Sequence, residues 1–97
     1  ETLYWNALDL YLKAVGPDHL YVALCHENLA SLFADRSKNA DARWHLKRSL
    51  AIRERAQGLQ HADVALVLEK LAVVQRKMNR TDEAEKSESR AKSIRAN

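Results

Sequence analysis

The chain is 97 residues long, 46% hydrophobic and 30% charged, with a net charge of +3, which bounds it to one small domain. Two glycines and one proline leave too little turn material for a sandwich or barrel of short strands, and the fold class is expected to be all-α. Cys25 is the lone cysteine, so no disulfide framework is available, which suits a reducing compartment and a cytoplasmic location. No apolar run approaches the roughly 20 residues that span a bilayer, so no membrane partner is expected.

The first helix is expected from Leu3-Tyr4-Trp5 to about Val15, stopped by Gly16-Pro17-Asp18. Glycine there suits a C-cap, and proline cannot continue a helix. The second begins near Asp18 or His19 and runs to about Arg36, with Val22, Leu29, Leu32 and Phe33 at helical spacing. Ser37-Lys38-Asn39 turns into a third, about 40–56, closed by Gly58. The fourth runs from about Ala62 to Met78. Asn79-Arg80-Thr81 forms the next turn, with Thr81 as N-cap of the fifth and Asp82 and Glu83 in its first turn.

These helices are not independent. Shifted by 42, residues 7–55 match identically at fourteen positions, among them Leu8, Gly16, His19, Glu27, Leu29, Ala30, Ala42, Ile52 and Arg53. A repeat of that length reads as stacked units that bury a shared core. The chain divides into the second helix of a truncated unit (1–15), a complete unit (18–57) and a terminal unit (60–96).

The two ends differ. Where the third helix carries Trp44, Leu46 and Leu50, the fifth carries Lys86, Glu88 and Lys92 in register. Asp82–Lys86 and Glu88–Lys92 fall at i,i+4 spacing, as on a solvated terminal face. The first helix is apolar nearly all round, through Tyr4, Trp5, Leu8 and Leu12, and expects neighbours on several sides. It reads as part of a longer chain whose preceding helix would cover this face. In the 97-residue fragment those four residues are expected to support a homodimer.

Both complete units resemble tetratricopeptide repeats. The resemblance is carried by His26-Glu27-Asn28-Leu29-Ala30 with Ala42, by Leu68-Glu69-Lys70-Leu71-Ala72 with Ala84, and by the small series Ala7, Ser49 and Ala91. The extra length at Gly16-Pro17-Asp18-His19 and Gly58-Leu59-Gln60-His61 is similar to kinesin light chain-type repeats. The resemblance implies a right-handed α-solenoid of antiparallel helix pairs and a scaffold without catalysis or cofactors. It also implies an extended peptide bound along a groove lined by the first helix of each unit. Transferred by position, that groove comprises Leu24, Glu27, Asn28, Ser31 and Asp35 in one unit. In the next it comprises Leu66, Glu69, Lys70, Val73, Arg76 and Lys77. Lys70, Arg76 and Lys77 would favour an acidic or carboxylate-bearing segment.

Other chemistries find less in the residues. His19, His26 and His61 with Cys25 lack the HExxH or Cys-x-x-Cys spacing of a metal site, and none is expected. The repetition of His19 and His61 assigns them to supporting the start of the following helix, and His26 is expected in the core. Neighbours on a helix point about 100° apart, so Cys25 and His26 do not make a nucleophile pair. Residues 1–35 balance to −4 and 36–97 to +7. The basic balance of the C-terminal part leaves nucleic acid binding as a weaker alternative, but its bases are interleaved with acids and lack an aromatic stripe, which argues against it. Phe33 and Trp44 are expected in the core.

Overall fold

The computed structural model describes residues 2–96, apart from the Tyr4 side chain. Among the described residues five helices follow one another: α1 Thr2–Val15, α2 Leu20–Asp35, α3 Asn39–Gln57, α4 Ala62–Lys77 and α5 Thr81–Ala96. Each packs on its neighbours in sequence, and together they make a slab of 35 × 30 × 13 Å. Among the described residues no helix is long and apolar enough to cross a membrane.

The turns repeat with the sequence. Gly16 and Gly58 hold φ of +89° and +92°, and their N–H groups close the last turns of α1 and α3 on Leu12 and Glu54 carbonyls. With ψ at 160°, Gly58 occupies a region that side chains do not tolerate. The α2–α3 and α4–α5 turns share another device. Ser37 and Asn79, 42 apart, both sit at φ +60°. The next residues, Lys38 and Arg80, donate back to the Phe33 and Gln75 carbonyls at 2.8 Å. Those bonds satisfy carbonyls that each helix end would otherwise orphan. Thr81 is the first helical residue rather than the cap, because the Arg80 carbonyl accepts the Ala84 N–H and so opens the helix.

Packing explains the composition of each helix. α4 buries Val64, Ala65, Val67, Leu68, Leu71, Ala72, Val74 and Gln75, a stripe too wide for one partner, because α3 and α5 flank it. α5 buries only Ala84, Ser87, Ala91 and Ile94, one narrow face, as a terminal helix should. The main core joins Leu8, Leu29, Phe33, Leu46 and Ile52 to Val67, Leu71 and Val74 of the next unit. A smaller cluster of Val64, Ala65, Leu68, Ala91 and Ile94 lies within the last unit, and Leu50 touches both.

Three expectations need correcting. Leu8 is 5% exposed and belongs to the main core, so it cannot contribute to a bared surface. The core claims it because α1 lies across α2 with this side inward. Trp44 is 55% exposed rather than core; its ring edges onto His45 and Arg48 lies over it at 5.6 Å. Glu88 does not pair along its own helix with Lys92 but reaches Arg76 on α4.

Candidate functional site

The first helices of the two units, α2 and α4, are aimed alike by their starts. Nδ1 of His19 accepts the Tyr21 N–H at 3.1 Å, and Nδ1 of His61 accepts the Asp63 N–H at 3.0 Å. Both histidines hold β-region backbone, as an N-cap requires. This is the helix-starting role read from their repetition.

Between α2 and α4 lies a groove of about 240 Å³. Its floor is Ala30, Ala34, Leu46 and Val74, with Val73 on one rim. Small residues at 30 and 34 open the space, since larger side chains there would fill it. Ser31 and Asp35 stand on the α2 wall, and Lys70 and Lys77 on the α4 wall. Among the described residues, Asp35, Lys70 and Lys77 have no ion-pair partner. The Ser31 hydroxyl donates to the Glu27 carbonyl at 3.2 Å. The groove therefore offers an apolar floor between one acidic and two basic groups, with room for a side chain but not for a folded domain.

Five of the eleven positions assigned to the groove line it: Ser31, Asp35, Lys70, Val73 and Lys77. Leu24 and Leu66 are exposed and Asn28 is half-buried, but none of the three borders this space. The remaining three serve other ends. Glu27 is buried, accepting from Arg53 Nε at 2.5 Å and from the Ser49 hydroxyl. Glu69 makes a two-pronged pair with Arg95 of α5, at 2.6 and 2.8 Å, and the guanidinium holds its carboxyl below the usual carboxylate range. Arg76 is likewise forked onto Glu88, at 2.8 and 2.6 Å. As 76 steps back to 69, its partners advance from 88 to 95, the mark of antiparallel helices. Any preference for acid in the groove rests on Lys70 and Lys77, without Arg76. The sequence held a sign of this, since Glu27/Glu69 and Arg53/Arg95 are all repeat identities, and a pair repeated together points to structure before ligand.

Ala30, Ala34, Leu46 and Val74 were missed as groove residues. Leu46 reaches the floor from α3, which no reading of one helix face could foresee.

At the other end, the face assigned to self-association is only partly available. Trp5 and Leu12 are exposed, whereas Leu8 is not, and the Tyr4 side chain lies outside what the structure describes. The largest exposures on α1 are instead Leu3, at 75%, and Leu10, at 64%. By the 42-residue register these match His45 and Ile52 of α3 and Ser87 and Ile94 of α5. All four are buried against the first helix of their own units.

Cys25 is buried, and burial pushes its thiol up from the ordinary value, away from a reactive thiolate. Among the described residues no three of His, Cys, Asp and Glu converge as a metal site would require.

The tetratricopeptide repeat family model matches residues 28–97, which contain most of both complete units. No curated protein matches the chain.

Proposed function

Because the chain belongs to the tetratricopeptide repeat family, whose repeats generally mediate protein–protein interaction, we propose that it is a non-catalytic scaffold binding an extended segment in the α2–α4 groove. The observation that carries this reading is the pairing of an apolar floor with the unpartnered Lys70 and Lys77. An apolar side chain of the partner would settle on Ala30, Ala34, Leu46 and Val74. Acidic groups beside it, or a terminal carboxylate, would meet the two ammonium groups. A preformed groove limits the entropy lost on binding. In this reading the units are kinesin light chain-type repeats in a right-handed solenoid acting in the cytoplasm, which the 42-residue register and its two Gly-x-x-His turns support.

A display selection of random peptides against the chain tests the proposal. Acidic or carboxylate-terminated peptides with an apolar anchor are expected to enrich, to be lost by Lys70→Glu/Lys77→Glu, and to be kept by Lys47→Glu/Lys86→Glu, which lies outside the groove. No enrichment, or enrichment that the groove variant retains, would overturn it.

A second reading is favoured by the exposure of Leu3, Trp5, Leu10, Leu12 and Val15 along α1. In it the chain caps the end of a longer array and, as these 97 residues, associates with a second copy through α1. Sedimentation is expected to show a dimer that Leu3→Glu/Leu10→Glu reduces to a monomer. A monomer at the highest soluble concentration, unchanged by that variant, would remove this reading.

A further inference from the structure

Where α1, α2 and α3 meet, two buried imidazoles face each other. Nδ1 of His26 on α2 lies 2.8 Å from Nδ1 of His45 on α3, and both side chains are sealed from solvent. Aromatic rings enclose them. Phe33 stacks on His45 at 5.5 Å, and Trp44 edges onto both imidazoles. Trp5 edges onto His45 and Phe33 at 5.3 and 6.5 Å. Trp5 is the contribution of α1, so this cluster is one of the places where α1 is held on the first complete unit, beside Leu8 in the main core and Tyr11 against Tyr21.

We propose that the His26–His45 pair is an acid-sensitive joint, which holds α1 to α2 and α3 at neutral pH and releases it when both rings are protonated, leaving α4 and α5 folded. The chemistry of the contact carries this. At 2.8 Å one Nδ1 must donate its N–H and the other must accept with a bare lone pair. One added proton can be shared between the rings. A second leaves two N–H donors pointing at each other, and the bond must break. The charge would also sit among apolar rings, with little water to solvate it.

The charged groups facing the pair divide. On α2, Glu27 favours protonation of His26; on α3, Arg48 opposes it, while Asp41 favours protonation of His45. From α1 the facing ring is Trp5, which carries no charge. Burial outweighs the rest. It pushes His26 down to about 4, helped by His45 and Arg48, and lowers His45 as well. With the folded values below the ordinary 6.5, the unfolded chain takes up protons that the folded chain refuses. Stability therefore falls as pH drops from about 6.5 toward 4.

The last unit supplies its own comparison. At the same register it has Leu68 and Ser87 in place of His26 and His45. Ser87 there donates to Gln75, which stands where Phe33 does, at 2.8 Å. Nothing in that joint titrates near neutrality.

Acid titration of the full chain tests the proposal, with NMR following the backbone amides and the four imidazoles. His26 and His45 are expected to protonate together with loss of α1 amide signals and a red shift of tryptophan emission, while α4 and α5 amides persist. Both tryptophans border the pair, so fluorescence reads this joint. His26→Leu/His45→Ser, which copies the last unit, is expected to abolish the transition. It keeps Glu27–Arg53, so acid effects of that ion pair would survive in it. The proposal is overturned if α1 signals persist after both rings protonate, if α4 and α5 are lost at the same pH as α1, or if the double variant keeps the transition. The wild-type NMR result stands alone should the variant not fold.

Discussion

Glu27→Ala is expected to destabilise the chain by about 3–5 kcal/mol, while Glu69→Ala at the same register leaves stability nearly unchanged. The two glutamates make the same contact, Glu27 with Arg53 and Glu69 with Arg95. Only their surroundings differ. Side-chain exposure is 8% and 12% for the first pair, against 43% and 46% for the second. The next unit explains this: Arg53 also reaches Asp63 of α4 at 3.4 Å, so α4 lies over the first pair. Nothing among the described residues lies over the second. Removing Glu27 leaves the Arg53 guanidinium only its longer contact with Asp63 and strands the Ser49 hydroxyl in a dry site. Water replaces Glu69 at little loss. Urea unfolding of the two single variants checks the contrast, and equal losses would contradict it.

Leu29→Ala is expected to lower stability by about 2–5 kcal/mol, from lost transfer energy together with the cavity left behind. Leu29 is wholly buried in the cluster that runs from Leu8 to Leu71 and Val74. Because that cluster crosses from one unit to the next, the loss should appear in one cooperative transition. Far-UV dichroism and tryptophan fluorescence would report the same midpoint. Separate midpoints would mean the units unfold independently, as weakly coupled repeats do.

The helices were legible because their boundaries are chemical. Gly16-Pro17 and Gly58 end helices by necessity, and His19 and His61 begin them. Their repetition identified the architecture, since a repeat implies stacking before any contact is known. Side-chain partners were less legible. The spacing of Arg76 and Lys77 places both near one face of α4, but spacing cannot tell that Glu88 across the turn takes Arg76 and leaves Lys77. On α1, apolar residues all round concealed which side packs. The register resolves that ambiguity: Leu8 is a repeat identity and faces inward, whereas Leu3 and Leu10 match positions that α3 and α5 bury against the first helix of their own units. Trp44 was misplaced because aromatic character suggests burial, while its counterpart Lys86 sits on an exposed face.

The central claim is the place of binding. The measurement that tests it most directly is amide chemical-shift mapping of the full chain with the most enriched acidic peptide from the selection. The account predicts shifts gathered on Ser31, Asp35, Lys70, Val73 and Lys77, abolished by Lys70→Glu/Lys77→Glu. Shifts gathered on α1, or on α3 and α5, with those five amides unmoved, would contradict it.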